Sequence, residues 1–211
     1  MAALRHNQGM TNQRHNELPI GVFDSGVGGL TVLKAIRDAL PCENLVYLGD
    51  TARLPYGTKS PASIERYATQ AAAKLQDQGI KLLVVACNTA SAVALGVLRS
   101  HLAPLPVIGV VEPGAAAAVA VRPGGRHLVL STEATVRLAA YRDAIRARDP
   151  GARVSEHACE MLVALAEEGW DGGEIARSIV RRYLDEADCR EPDTIILGCT
   201  HFPLLTNTIQ E

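Results

Sequence analysis

Short apolar runs alternate along the chain with longer segments in which apolar residues recur at helical spacing. The first run is "IGVFD" at 20–24, and the last is "TIILG" at 194–198. Runs of this kind predict buried strands, and the segments between them predict helices. Strands are predicted at 20–24, 45–49, 81–86, 107–111, 127–131, 153–157 and 194–198, and helices at 30–40, 61–78, 89–102, 113–121, 133–148 and 171–187. The alternation predicts an α/β fold with mainly parallel sheets, in which ligands gather at the carboxyl ends of the strands.

Two stretches of the chain share a pattern. "VVACNT" at 84–89 and "ILGCTH" at 196–201 both run from two aliphatic residues through a small residue to a cysteine and polar residues. "FDSGVGG" and "STEAT" match more loosely, as polar turns between a strand and a helix. We therefore expect two pseudo-symmetric α/β domains, residues 18–111 and 112–211, with an active site in the cleft between them. The polar residues 1–17 predict a disordered tail.

Composition and charge narrow the classes of function. Apolar residues make up 47% of the 211 residues, which is enough for a large core. A net charge of −2 without long charged blocks, together with 4% aromatic residues, argues against nucleic acid and anionic membranes as partners. The apolar stretches are too short for a membrane span, and the polar start is not a secretory signal, so a cytoplasmic protein is expected. The five cysteines form no CxxC pair, which argues against a disulfide framework and against a zinc site.

Two cysteines are candidates for chemistry. Cys87 precedes "NTASAVALGVL", so its thiol lies at a predicted helix N-terminus, where the helix dipole is expected to lower the thiol pKa. Asn88 and Thr89 add polar groups beside it. Cys199 is followed by Thr200 and His201, which place a hydroxyl and an imidazole next to the second thiol. A buried structural cysteine is the alternative for Cys87.

The turn "DSGVGG" at 24–29 is a third candidate site. Its glycines allow backbone N–H groups to point outward at the start of a helix, which is a nest for a carboxylate or phosphate. Asp24 fits better as a ligand for an ammonium group or as a proton partner for a thiol; a plain turn capped by Asp24 and Ser25 is the alternative. A dinucleotide-binding loop is disfavoured, because Thr31 stands where the third glycine of G-x-G-x-x-G is required.

Two further turns carry polar groups. "RLPYGTKS" at 53–60 could hold a substrate through its backbone and Tyr56, or could be a simple turn. Thr132 and Thr135 begin a predicted helix, where both are good caps. Two thiols facing one substrate suggest a reaction class: one removes a proton next to a carboxylate, and the other returns a proton to the opposite face. This chemistry needs neither a cofactor nor a metal.

The motifs together resemble those of the bacterial glutamate racemases of the aspartate/glutamate racemase family. The resemblance runs from Pro19 to Leu205 and is carried by "FDSGVGGLTVL", "LGDTARLPYG", "VVACNTASA", "STEATV", "EEGW" and "LGCTHFPLL". It implies interconversion of L- and D-glutamate without a cofactor, in support of peptidoglycan synthesis. Free glutamate is then the partner, and a homodimer is a candidate assembly.

The resemblance also implies roles for particular residues. Cys87 would take the α-proton from D-glutamate with help from Asp24, and Cys199 would take it from L-glutamate with help from His201 and Glu167. The substrate would be surrounded by Asp24, Ser25, Pro55, Tyr56, Gly57, Asn88, Thr89, Thr132, Thr135, Thr200 and His201.

The chain departs from the family pattern at Leu138, where the family usually has Ser, and at Glu160, where it usually has Pro. Family members also continue for roughly another 50 residues after the last matched motif, so a C-terminal return to the first domain is expected to be missing. Two alternatives stay open at this point. One is a racemase for aspartate or another amino acid, and the other is an inactive binding protein on the same fold.

Overall fold

The computed structural model describes residues 17–211. Two sheets organise these residues, and all the paired strands within each sheet are parallel. The first sheet has the order β2-β1-β3-β4, with β1 at Ile20–Asp24, β2 at Leu45–Gly49, β3 at Leu82–Val85 and β4 at Val107–Gly109. The second has the order β6-β5-β7, with β5 at Arg126–Ser131, β6 at Arg153–Ala158 and β7 at Thr194–Gly198. The predicted α/β class with parallel sheets is confirmed. The expected tail at 1–17 lies outside the described residues, apart from Glu17.

The two sheets have equivalent cores. In the first, β1 lies between β2 and β3, and in the second, β5 lies between β6 and β7. Cys87 follows β3 and Cys199 follows β7, so the two thiols occupy equivalent places at the carboxyl ends of equivalent strands. This equivalence accounts for the repeated pattern of two aliphatic residues, a small residue and a cysteine.

Helices connect the strands and cover the sheets. They are α1 (Leu30–Ala39), α2 (Pro61–Gln76), α3 (Asn88–His101), α4 (Val111–Val121), α5 (Glu133–Arg137), α6 (Ala140–Arg148), α7 (Glu160–Glu167), α8 (Gly173–Glu186) and α9 (Thr206–Gln210), with 3₁₀ turns at Thr51–Arg53 and Phe202–Leu205. Among residues 17–211, none of these helices combines the length and the apolar character that a membrane crossing requires.

Two helix predictions differ from the structure. The single helix predicted at 133–148 is two helices, because Ala139 adopts a left-handed conformation (φ 53°, ψ 29°) between α5 and α6. No glycine or proline marks this break, so the sequence pattern does not reveal it. Helix α7 was not predicted, because its run "EMLVALAE" is short and mostly apolar and lacks a clear helical period.

Buried apolar side chains fill the space between the sheets and their helices. In the first domain, Phe23, Leu83 and Val85 pack with Ile64 of α2 and Leu98 of α3. In the second domain, one face of the sheet packs on α7 and α8, and the other packs on α4 and α6. Helix α4 therefore belongs to the second core, although the predicted strand at 107–111 and the predicted junction near 111–113 overlap its first turn.

Candidate active site

A small cavity lies where strands of both sheets end. It is lined by residues that follow β1, β3, β5 and β7, and its volume of about 20 Å³ has room for about one water molecule. The lining consists of Ser25, Leu54, Pro55, Tyr56, Gly57, Cys87, Asn88, Thr89, Thr132, Val163, Cys199, Thr200 and His201. Both predicted thiols are therefore brought to one cavity, together with most of the predicted binding residues. Leu54 and Val163 were missed, because an apolar side chain gives no chemical signal in the sequence.

Cys87 occupies the N-cap position of α3 and is 4% exposed. Its Sγ accepts the Ala90 N–H at 3.4 Å and donates to Ser25 Oγ at 3.5 Å. The prediction that the helix N-terminus lowers the thiol pKa is wrong in its net direction. Burial, and then the charge of Asp24, raise the pKa of Cys87 to about 11, and its hydrogen bonds with Ser25 and Ala90 offset this only in part.

Cys199 is joined to an imidazole and a carboxylate. Its Sγ lies 3.7 Å from Nδ1 of His201, and Nε2 of the same ring lies 2.5 Å from Oε1 of Glu167 at the end of α7. Burial raises the pKa of Cys199, and the charges of Cys87, Asp24 and Glu160 raise it further, while the backbone N–H of His201 lowers it. Burial therefore favours the protonated form of both thiols in this closed site.

Asp24 lies behind the cavity and is fully buried. Its Oδ2 accepts the backbone N–H groups of Gly26 and Gly29, at 3.0 and 3.1 Å, and its Oδ1 accepts the hydroxyl of Thr200 at 3.3 Å. The anion nest predicted for this turn is therefore filled by the chain's own carboxylate rather than left for a ligand. Burial raises the pKa of Asp24, against the effect of these hydrogen bonds.

Three threonine hydroxyls form a chain between the domains. Thr89 Oγ1 lies 2.9 Å from Thr132 Oγ1, which lies 3.1 Å from Thr135 Oγ1. Thr132 holds the N-cap position of α5, but its side chain makes no capping bond, so the predicted capping role is wrong for its hydroxyl. Thr135 is fully buried behind Thr132. The link ties the start of α3 to the start of α5.

The loop at Pro55–Gly57 also reaches across to the second domain. The Gly57 carbonyl accepts the Ala134 N–H at 3.3 Å. A β-carbon at position 57 would lie 2.7 Å from Cβ of Thr132, so only glycine allows this approach. Tyr56 is fixed beneath the loop, because its hydroxyl donates to Asp50 Oδ2 at 2.5 Å.

The two departures from the family pattern lie near this contact between the Pro55–Gly57 loop and the second domain. Oε1 of Glu160 accepts the Glu133 N–H at 2.5 Å and would lie 3.1 Å from a β-carbon at position 57. Leu138 is 41% exposed and ends α5, directly before the left-handed Ala139. Neither residue lines the cavity. Across residues 17–211, no group of three or more His, Cys, Asp or Glu side chains is arranged to hold a metal ion.

Known proteins are similar to this chain in sequence and fold. The Asp/Glu/Hydantoin racemase family matches residues 20–211. The chain is 54% identical over 192 residues to a glutamate racemase of Geobacter metallireducens, covering 91% of this chain and 71% of the relative.

Solved structures of glutamate racemases are also similar to this chain. The glutamate racemase of Francisella tularensis, determined in complex with D-glutamate, superposes with a TM-score of 0.86 at 38% identity, covering 92% of this chain and 73% of that one. A glutamate racemase of Bacillus anthracis superposes with a TM-score of 0.89 at 39% identity, covering 93% and 73%. With the family match extending over nearly all of the described residues and these relatives alike in sequence and fold, the chain belongs to the Asp/Glu/Hydantoin racemase family of isomerases.

Proposed function

We propose that this chain interconverts L- and D-glutamate by a two-cysteine acid/base mechanism. The observation that carries the proposal is the position of Cys87 and Cys199, which follow equivalent strands of the two domains and line one cavity. Inversion at a carbon requires a base on one face and an acid on the other, and two thiols from opposing domains supply both.

The reaction is balanced by two proton transfers. One cysteine, as thiolate, takes the α-proton, so the C–H bond breaks and an S–H bond forms. The electron pair left on the α-carbon is delocalised into the adjacent carboxylate. The other cysteine, as thiol, then gives its proton to the opposite face of the carbon. The roles of the thiols are exchanged at the end, and the reverse reaction uses them in the opposite order. We assign Cys87 to D-glutamate and Cys199 to L-glutamate.

One thiol must lose its proton before the reaction can begin, although burial holds both pKa values high. For Cys199, the group in place to accept the proton is Nδ1 of His201, whose ring is oriented by Glu167. For Cys87, Ser25 Oγ lies 3.5 Å from the thiol, and Asp24 supplies a negative charge that disfavours the thiolate and so makes it a stronger base once formed. Each thiol thus has its own neighbouring polar groups that act on its proton.

The lining of the cavity suits an amino acid with carboxylates. Hydroxyl, amide and backbone N–H groups, including those of Ser25, Asn88, Thr89 and Thr200, are donors of the kind that carboxylates accept. Because these relatives are named glutamate racemases, we propose glutamate rather than another amino acid as the substrate. Because the cavity has room for only about one water, substrate entry requires the Pro55–Gly57 loop and α5 to separate.

The test is an assay of L- and D-glutamate, followed by circular dichroism, with no added cofactor. Each enantiomer is expected to convert toward an equal mixture, and L-aspartate is expected to convert far more slowly. Cys87→Ser and Cys199→Ser should each reduce the rate by orders of magnitude, because a serine hydroxyl is a much weaker acid than a thiol. Normal turnover in either variant would contradict the mechanism, while fast conversion of aspartate alone would favour the alternative substrate.

The cellular role proposed is the supply of D-glutamate for peptidoglycan from the cytoplasm. It is tested by whether the chain supports growth of a bacterium that requires external D-glutamate. Growth with the unaltered chain, and not with Cys87→Ser, is the expected result.

A further inference from the structure

Tyr141 lies outside the cavity but is bonded to one of the residues that line it. Its hydroxyl donates to Oδ1 of Asn88 at 2.6 Å. Tyr141 is in the first turn of α6, in the second domain, whereas Asn88 begins α3 in the first domain, directly after Cys87. Both side chains are buried, at 3% and 7% exposure. This bond joins the domains at the residue next to a proposed catalytic thiol.

The backbone before Tyr141 is held in an unfavourable conformation. Ala139 has φ 53° and ψ 29°, a region that side chains with a β-carbon rarely adopt. It separates α5 from α6, so that α6 starts in a new direction and carries Tyr141 into the interior. Strained backbone persists where the surrounding structure enforces it, and such positions cluster at functional sites.

Helix α4 provides a fitted space for the Tyr141 ring. A β-carbon at Gly114 would lie 3.1 Å from Cε1 and 3.2 Å from the hydroxyl oxygen of Tyr141. The glycine therefore lets α4 approach the ring closely, although glycine is a poor residue for a helix interior. Burial and the nearby charge of Cys199 raise the pKa of Tyr141, so its hydroxyl remains a donor.

In the structure the phenol hydroxyl is bonded to the oxygen end of the Asn88 amide, and Asn88 lines the cavity. With Oδ1 bonded to the phenol, the Nδ2 hydrogens are left, and they make no hydrogen bond to the described residues 17–211. An amide rotated by half a turn would instead present its carbonyl oxygen, which repels a carboxylate.

We propose that Tyr141 is a positioning residue that fixes the Asn88 amide with its N–H₂ group toward the substrate, where it donates to a carboxylate. The proposal rests on the proposed function for the identity of that substrate. The orientation itself belongs to the free protein and is independent of turnover.

The first experiment measures the orientation without any reaction. The side-chain ¹H–¹⁵N pair of Asn88, assigned by its loss in Asn88→Ala, is compared between the unaltered protein and Tyr141→Phe. We expect its dispersed shifts to collapse toward those of a free amide in Tyr141→Phe, because the ring remains and only the hydroxyl is lost. Unchanged shifts and order would overturn the proposal. Tyr183→Phe is the matched control, since the Tyr183 hydroxyl accepts the Met161 N–H far from Asn88 along the chain and in another core.

The second experiment measures the consequence for catalysis. Tyr141→Phe should raise the KM for both enantiomers about tenfold, with a smaller change in kcat. In an Asn88→Ala background the same substitution should change kcat/KM by less than about twofold, because the amide it positions is gone. An equal loss in both backgrounds would mean that Tyr141 acts on the structure in general, and would contradict the proposal.

Gly114→Ala gives a second variant that keeps the hydroxyl but displaces the ring. It should shift the same Asn88 signals and raise KM in the same direction, while Tyr183→Phe leaves both unchanged. If the unaltered protein fails to convert glutamate, the proposed function fails, but the Asn88 signals still decide whether Tyr141 orients the amide.

Discussion

The carboxylate of Asp24, at the end of β1, accepts a hydrogen bond from the hydroxyl of Thr200, which follows β7 in the other sheet, with 3.3 Å between the oxygens. The second oxygen of the same carboxylate holds the N–H groups of Gly26 and Gly29. One buried side chain therefore fixes the turn beside Cys87 and connects it to the residue after Cys199.

Replacing Asp24 with Asn separates the charge of this group from its shape. The amide oxygen can still accept the two backbone N–H groups, so Asp24→Asn should keep the turn while removing its negative charge. Because the Asp24 charge raises the pKa of Cys87, the substitution should also lower that pKa. The measurement is the pH dependence of Cys87 alkylation by iodoacetamide, followed by mass spectrometry. The exposed Cys42 in the same sample is the internal control, and a Cys87 midpoint that stays or rises would contradict the prediction.

The sequence pattern was sufficient for the strands, because buried parallel strands are short, apolar and bounded by turns. β1, β2 and β7 lie at the predicted residues, and the other strands shift by one or two residues at their ends. The pairing of Cys87 with Cys199 also followed from the pattern, because equivalent strands produced the repeat.

The pattern of apolar and polar residues could not predict features that depend on contacts between distant parts of the chain. The pKa of Cys87 depends on how deeply the second domain buries it, and a single helix N-terminus does not reveal this. The filled nest of Asp24 and the left-handed Ala139 depend on contacts made by distant parts of the chain. Glu167 was named from the family resemblance alone, because only the packing of α7 brings it to His201.

Glu167 is expected to matter through His201. Glu167→Gln keeps a hydrogen-bond acceptor but removes the charged carboxylate that orients the ring, so kcat/KM should fall by about tenfold or more. The loss must be equal for L- and D-glutamate, since the two enantiomers have equal free energy in water. The matched control is Glu168→Gln, which changes the exposed neighbouring residue in the same way and should leave kcat/KM unchanged. Equal rates in the Glu167 and Glu168 variants would rule out this role.

Buried thiols should make the protein less stable in alkaline solution. The pKa of Cys87 is about 11 in the folded protein and about 8.5 in an unfolded chain. Between these values the unfolded chain loses the proton and the folded protein keeps it, so the unfolding free energy falls as pH rises, by about 1.4 kcal/mol per pH unit at most for this thiol. The contribution is fully present below about pH 8.5 and is lost by about pH 11.

Urea unfolding at pH 7.5, 8.5 and 9.5 measures this slope. Cys87→Ala should reduce the fall in unfolding free energy between pH 8.5 and 9.5, although the variant is less stable at every pH because it leaves a cavity. Cys42→Ala, at an exposed thiol, should keep the slope of the unaltered protein. A Cys87→Ala protein with the original slope would show that another group carries the pH dependence. The buried Cys159, a thiol outside the cavity whose pKa burial raises to about 12, is the first candidate for such a group.

Gly28 is predicted to be indispensable because of what lies against it. A β-carbon there would lie 2.8 Å from Nδ1 of His201 and 2.8 Å from Oγ1 of Thr200. Neither neighbour can retreat freely, since His201 is 2% exposed and its ring is held between Cys199 and Glu167. Gly28→Ala should therefore move the imidazole away from the Cys199 thiol or hold the two domains apart.

A displacement of about 1 Å at a reacting group costs on the order of 100-fold in rate, so Gly28→Ala should lower kcat/KM by about that factor. Gly96→Ala provides the opposite case, because no heavy atom lies within 4 Å of a β-carbon at that position in α3. Alanine in a helix interior is more favourable than glycine by about 1 kcal/mol, so this variant should melt at a higher temperature and turn over normally. Thermal melting and racemisation are measured on both variants. Full turnover by Gly28→Ala would mean that His201 has room to move, and would contradict the fixed Cys199–His201 geometry on which the assigned role of His201 depends.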